Sequence, residues 1–447
     1  MGYRAEIMST LKNKLDYLNK DKIKKHWETI DSQEGLSTRQ KLEKLVNLSL
    51  KRKEKETKPE NKTPIHGVET VILIPEENED SGLTVREFSY PLDTVYGRFT
   101  LAEWKQVSSR QLAVITGEDE FLNVSPMELL FFDTETTGLS GGTGTIPFML
   151  GFGYFGEEDF RVKIFILNDL AREDEFLEEV DGFLQARPCS ATVTYNGKGF
   201  DFPLMETRYV LQRKRFPLLK RPHLDFLFPA RTLWKHTYPS RKLSHLGDML
   251  LGISREDDVD ASRIPTMYFN YLRSRSYVVI QRIVEHNALD LVGLAGLLLQ
   301  GVKYLEDISY TVDEGEILGT AKLFEKYGDF ETADRLYKDL KQSAVRKDVM
   351  DKAVKGLAVI LKKKKLYAEA AELWEMLSGH GDRPGSADRH ALRELSVHLE
   401  HRERNYVKAL EWVREGLNII DLTDAQRLDF EKRFKRLNKK IQALDKD

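Results

Sequence analysis

Two carboxylates separated by one residue, Asp133 and Glu135, close the apolar run Leu129-Leu130-Phe131-Phe132. The run has the length and composition of a buried strand, and in a strand residues i and i+2 share a face. The pair is therefore expected to converge on one spot, where two like charges repel unless a cation lies between them. Hard oxygen donors in that arrangement suit Mg²⁺ or Mn²⁺; for a bare Asp-x-Glu a solvated turn is the plainer alternative. A third acid, Asp201, follows Thr194-Tyr195-Asn196-Gly197-Lys198-Gly199-Phe200. The glycines predict a tight turn and Asp201 the first turn of a helix, where an acid can also simply complement the helix dipole. His286 and Asp290 are four residues apart and so share a helical face, as any local His–Asp pair does. Between these groups, Arg208, Arg213, Lys214, Arg215, Lys220, Arg221, Arg231, Lys235, Arg241 and Lys242 form a basic sector around Glu206 and Asp225, interleaved with His223, Trp234, His236 and Tyr238. Cations for phosphates and rings for bases make a nucleic-acid surface; a solvated face with one core Trp is the alternative. Asn196 and Lys198, beside Asp201, either contact a terminal phosphate or shape the turn. Gly141-Gly142-Thr143-Gly144-Thr145 lacks the Gly-Lys-Ser/Thr ending of a P-loop, which argues against ATP binding there.

The elements that must position these groups are legible over residues 126–303. Strands are predicted at Leu129–Phe132, Pro147–Tyr154, Arg161–Leu167 and Ala191–Tyr195, with helices at Glu173–Ala186 and Asp201–Gln212. Residues 1–63 are polar and charged, with weak helical patterns and a Lys/Glu-rich linker. Residues 64–125 alternate in short segments and predict a small β-containing lead-in. Residues 304–447 are helical throughout. There Phe330/Ala333/Leu336/Tyr337, Tyr367/Ala370/Leu373/Trp374 and Tyr406/Ala409/Trp412/Val413 repeat one aromatic–small–large pattern at a period of about 37 to 39 residues.

The chain has 447 residues, enough for two or three domains. A hydrophobic share of 41 % and a charged share of 32 % are those of a protein with real cores. Net charge is −3, so any nucleic-acid surface is local. Cys189 is the sole cysteine, which excludes an internal disulfide and a cysteine-rich zinc site and fits a reducing, cytoplasmic setting. The most apolar segment, Leu289 to Val302, is broken by Asp290 and three glycines, so no membrane span of about 18 residues is expected. The charged first residues, Met1 to Lys22, do not read as a secretory signal.

Asp-x-Glu after a strand, Asn-x-x-x-Phe-Asp and His-x-x-x-Asp, in that order, resemble the three motifs of the DEDD 3′→5′ exonucleases. His223-Leu224-Asp225, Arg231-x-x-Trp234-Lys235, Lys242-Leu243, Leu250-Leu251-Gly252 and Pro265-x-x-Tyr268 resemble the YprB-like ribonuclease H-like proteins, which join such a domain to tetratricopeptide-like (TPR) helices. The resemblance implies an α/β ribonuclease H-like domain, a mixed sheet with flanking helices, followed by an all-α TPR-like repeat domain. It implies Asp133, Glu135, Asp201 and Asp290 as ligands of two divalent cations, Mg²⁺ or Mn²⁺, with His286 as general base. His286 has the three-residue gap to the last Asp that the family's tyrosine has, and the chemistry of the family's histidine. The implied activity is hydrolysis of a terminal phosphodiester at a single-stranded 3′ end, releasing nucleoside 5′-monophosphates. Asn196, Lys198, Arg208, Arg231 and Lys235 are the expected substrate contacts, and the repeats are expected to hold a protein partner. A structure-selective endonuclease and a catalytically inert binding scaffold are the alternatives on the same fold.

Overall fold

The computed structural model describes residues 68–70, 82–138, 144–187, 189–253, 259–378, 388–419 and 421–444. The helices and linker expected within residues 1–63, and most of the Gly141–Thr145 loop, lie outside the described residues.

Among the described residues, seven strands form one mixed sheet. In chain order they are β1 (Val68–Thr70), β2 (Leu83–Pro91), β5 (Leu129–Thr136), β6 (Pro147–Phe155), β7 (Asp159–Leu167), β8 (Ala191–Thr194) and β9 (His223–Asp225); a separate ribbon pairs β3 (Val95–Tyr96) with β4 (Phe99–Thr100). The spatial order is β1-β2-β7-β6-β5-β8-β9. Pairing is antiparallel from β1 to β5 and parallel for β5/β8 and β8/β9. β2 pairs with β7 along its whole length. The segment expected as a separate lead-in thus supplies an outer strand of the main sheet, because its alternating residues match the apolar face of β7. β9 is short, and its apolar signal is a single residue, Leu224, too little for the sequence to predict a strand there.

Helices flank the sheet: α1 (Ser109–Thr116), α2 (Glu173–Gln185), α3 (Asp201–Leu211), α4 (Leu227–Trp234), α5 (Leu243–Leu246), α6 (Ile264–Ser274) and α7 (Tyr277–Glu306). The two faces of β5 meet different partners. Phe132 packs its ring against Phe202 and Phe216, while Phe131 faces Trp104 and Phe160. With both faces covered, the apolar start of β5 is continuous rather than alternating. α7 is the one described helix long and apolar enough to cross a membrane by length and composition, contrary to the expectation that no such segment exists. Its most apolar window is 83 % buried, against β5, β6, β7 and α1. Burial inside the sheet's own domain explains the composition.

The remaining helices follow as α8 (Glu314–Tyr327), α9 (Phe330–Ser343), α10 (Lys347–Lys363), α11 (Tyr367–Leu377), α12 (Arg389–His398), α13 (Tyr406–Leu417) and α14 (Asp424–Leu444), each packed on the next. Phe330, Tyr367 and Tyr406 are the first residues of α9, α11 and α13, and Ala333, Ala370 and Ala409 are fully buried one turn later. α8 also packs on α4 and α1. The approach to α4 is at backbone range: a Cβ on Gly319 would lie 2.5 Å from Leu233 Cα and 2.6 Å from Thr232 O. Glu316 of α8, fully buried, accepts hydrogen bonds from Tyr304 Oη at 3.1 Å and Tyr238 Oη at 3.4 Å. The helical tail is therefore fastened to the sheet domain through its first helix.

Candidate active site

The end of β5 and the first half of α7 face each other. Asp133 and Glu135 project from the β5 face that meets α7. Asn287 Nδ2 donates to Asp133 Oδ2 at 2.7 Å. His286 Nε2 lies 3.9 Å from Glu135 Oε1 and 3.4 Å from Asp290 Oδ2. The side chains of His286, Glu135 and Asp290 are 13 %, 14 % and 15 % exposed, so the cluster is largely enclosed but retains some contact with solvent. The helix reaches this close because β6 presents Gly151 opposite Asp133. A Cβ at Gly151 would overlap Asn287 Oδ1 and stand 2.8 Å from Leu291 Cδ1.

Asp201 stands on the other face. As the first residue of α3 it is buried, and its Oδ1 accepts a 2.6 Å hydrogen bond from Thr134 Oγ1. Thr134 lies between Asp133 and Glu135, so strand alternation points it away from them. Burial raises the Asp201 carboxyl to about 6, against the lowering pull of the Thr134 hydroxyl and with a further push from the Asp225 charge. Asp225 holds the turn that delivers Asp201: its carboxylate accepts from the backbone N–H groups of Asn196 (2.7 Å), Lys198 (3.0 Å) and Leu227 (3.1 Å). Asn196 adopts φ 73°, a left-handed conformation that asparagine tolerates. His223 stacks on Phe202 with ring centroids 3.8 Å apart and lies 2.8 Å through Nε2 from Thr194 Oγ1. Burial, then the Lys198 charge, holds its imidazole down to about 3.

The expected substrate contacts divide. Arg231 on α4 and Lys235, the residue that caps its end, are exposed and one helical turn apart. Lys198 extends toward Glu118, 3.8 Å away. Arg208 is not a surface cation: it is buried, with Nε donating to Glu173 Oε1 at 2.6 Å and Nη2 to Glu173 Oε2, and so ties α3 to α2. Its position on the apolar face of α3, beside Met205 and Tyr209, explains the burial. Trp234 and Tyr238, expected as rings for base stacking, are core residues. Two residues of this site have no role in the sequence-based expectation. Asn287 interrupts the apolar stripe Ile280-Ile283-Val284-Leu291 of α7, and Asp225 interrupts Leu224-Phe226-Leu227; a lone polar residue in an apolar run is the signal that could have found them.

Chemically the α7-facing cluster offers three carboxylates and one imidazole, donors suited in kind to a hard divalent ion. Among the described residues, no three His, Cys, Asp or Glu side chains are arranged to hold a metal ion as they stand. Asp201, turned to Thr134, is the group that does not join the others.

A profile of the RNase H superfamily matches residues 130–300, the span that holds Asp133, Glu135, Asp201, Asp225, His286, Asn287 and Asp290. Over 375 residues the chain is 31 % identical to YprB of Bacillus subtilis (strain 168), described as an uncharacterized protein, covering 82 % of this chain and 86 % of that one. The chain belongs to the YprB family. The YprB-family likeness therefore extends well beyond the superfamily domain. The mixed sheet with flanking helices, followed by a helix-rich region, is consistent with an RNase H-like, nuclease-like fold.

Proposed function

We propose that this YprB-family protein is a metal-dependent nuclease that removes nucleotides from the 3′ end of a nucleic-acid strand. One observation supports the reading above others: His286 Nε2 stands 3.4 Å from Asp290 and 3.9 Å from Glu135, across from Asp133, at the mouth of an RNase H-superfamily sheet. Asp133, Glu135 and Asp290 would hold a divalent ion, Mg²⁺ or Mn²⁺, and Asp201 is assigned to a second. Such ions, when bound, supply an activated water and countercharge for the leaving oxygen. His286 Nε2 accepts the water's proton; Glu135 and Asp290 favour the imidazolium that results. Asn287 keeps the Asp133 carboxylate turned toward α7. The tail, α8 to α14, is assigned to TPR-like repeats that hold a protein partner, and the chain to the cytoplasm. The working boundaries fall after residues 63, 125 and 303. The hydrogen bond from Thr134 to Asp201 favours a second reading, a core that binds a strand without cutting it.

End-labelled single-stranded DNA and RNA, incubated side by side with Mn²⁺ or with EDTA, separate these readings. The expected products are mononucleotides, absent with EDTA and absent for a folded Asp133→Ala chain. His286→Ala should slow cleavage roughly 10²–10⁴-fold. Full activity of folded Asp133→Ala would sink the site assignment; short oligonucleotide products would make the enzyme an endonuclease; binding without any cleavage would leave the scaffold.

A further inference from the structure

Trp234 and Tyr238, two of the rings that the sequence offered for base stacking, are buried, yet one ring on the helix of Trp234 is not. Phe228 of α4 is 52 % exposed. Phe228, Arg231 and Lys235 are spaced i, i+3 and i+7, so they form a single outward face along α4. The helix is about 12 Å long at 1.5 Å per residue. Its first turn is tied to the active-site turn, since Asp225 binds both Leu227 N and Asn196 N. The Arg231 charge is felt by the phenol of Tyr195, the residue that opens that turn. Its last turn abuts the tail: Lys322 of α8 lies with Nζ 3.5 Å from His236 Nε2.

The charges at that far end are poorly compensated. Among the described residues Arg231, Lys235 and Lys322 form no ion pair. Neighbouring cations are satisfied: Lys352 pairs with Asp348 and Lys355 with Asp388, each at 2.9 Å. Two acids bear on the group from the tail. Glu325 acts on Lys322 but accepts from Tyr337 Oη at 2.7 Å, and Asp348 acts on His236 but is already shared by Lys352 and Arg346. Burial, then the charges of Lys322, Lys352 and Lys235, holds the His236 imidazole down to about 4. Burial, then the charges of Lys352 and Lys235, draw the Lys322 ammonium below its ordinary range. Exposed cations gathered beside a half-buried lysine with little carboxylate compensation suit an anion that arrives from outside. An exposed ring in line with them suits a base.

We propose that Phe228 and Arg231 on α4 and Lys235 at its C-terminal cap, continued by Lys322 and His236 at the junction with the helical tail, form a strip that binds single-stranded nucleic acid, Phe228 stacking a base and the cations taking backbone phosphates. The strip leads from the active-site turn to the tail, so the tail contributes to substrate binding as well as to partner recruitment. It rests on the nuclease reading for its ligand, and its test is independent of cleavage.

Binding of fluorescent dT20 and rU20 to the full chain is measured by anisotropy in EDTA across a salt series. Phe228→Ala should weaken binding about tenfold and leave the salt slope unchanged, a split that mere structural damage does not produce. Lys235→Gln with Lys322→Gln should lower the slope of log K against log[salt] by about 0.7 for every phosphate that is no longer neutralised. Lys322→Arg should retain binding. Wild-type affinity and slope in both the Phe228→Ala and the double-Gln chains would overturn the strip. So would loss of polyglutamate binding with oligonucleotide binding intact, since the site would then serve an acidic protein. A strip that binds in a chain that never cleaves counts against the nuclease reading alone; cleavage of tetranucleotides with no strip binding counts against the strip alone.

Discussion

Arg208 donates through Nε to Glu173 Oε1 at 2.6 Å, and the two side chains are 9 % and 7 % exposed. A cation so buried and paired is not presented to a phosphate on the surface. Arg208→Ala leaves the Glu173 carboxylate buried and uncompensated, so it should lower stability by about 3–5 kcal/mol with little change in KM at a temperature where the chain stays folded. Thermal unfolding beside steady-state kinetics checks this; an unaltered Tm with a raised KM would return Arg208 to the substrate surface. His223 makes a pH prediction. Its imidazole titrates at about 3 in the folded chain because burial disfavours the charged ring, and near about 6.5 when unfolded. The unfolded chain therefore binds the extra proton across that interval, and stability falls as pH drops from about 6.5 toward 3. His223→Gln should flatten that part of the stability–pH curve. Equal slopes in denaturant titrations of the two chains between pH 6.5 and 4.5 would show that His223 does not carry the effect.

The pairing of β5 with β6 and the docking of α7 meet at one glycine. Gly151 sits opposite Asp133, and a Cβ there would overlap Asn287 Oδ1. Glycine to alanine in a strand ordinarily gains a few tenths of a kcal/mol or more through the unfolded chain. Here the overlap reverses the sign: Gly151→Ala should cost about 1–3 kcal/mol and, by moving α7 off β5, slow any cleavage at least about tenfold. Adding Asn287→Ala should restore much of the stability but not the rate, since Asp133 then lacks its donor. Calorimetry and single-turnover rates on the two chains decide the matter; a stabilised, fully active Gly151→Ala would mean that α7 has room to spare.

The sheet domain and the helical tail share a core at α4, α7 and α8. Gly319 brings the backbones of α8 and α4 together, and Glu316 is buried under Tyr238 and Tyr304. A chain ending at Tyr310 loses α8 and uncovers the apolar side of α4, so it should be insoluble or melt roughly 10 °C lower than one ending at Ser343, which keeps α8 and α9. Soluble yield and Tm of the two chains test this. Equal stability would show that the tail is an independent appendage. At the far end Glu400 is buried beneath Arg436 and Lys440 of α14, with Arg436 Nε at 2.7 Å and Lys440 Nζ at 2.9 Å. Burial opposes ionisation there, but the two cations outweigh it and hold the carboxyl down to about 2. The tail is thus fastened at its first helix and closed at its last.

What the chain's own pattern carried was local. The run Leu129–Phe132 and the period of two placed Asp133 and Glu135 on one face of β5; the spacing of four put His286 and Asp290 on one face of α7; the repeated aromatic–Ala sets marked the starts of α9, α11 and α13. Each of these follows from a backbone period, which any short window of residues contains. The remainder depended on what lies across the sheet. Asp201 turned to Thr134 because the face of β5 that meets α3 is the one opposite Asp133, and no local period reports which face a later helix will cover. Arg208 and Trp234 were drawn inside, and Phe228 left outside, by the sides of α3 and α4 that pack against the rest of the domain. The assembly at the site brings Asn287 to Asp133 and Gly151, both more than a hundred positions before it, a proximity that only packing of α7 on β5 and β6 creates.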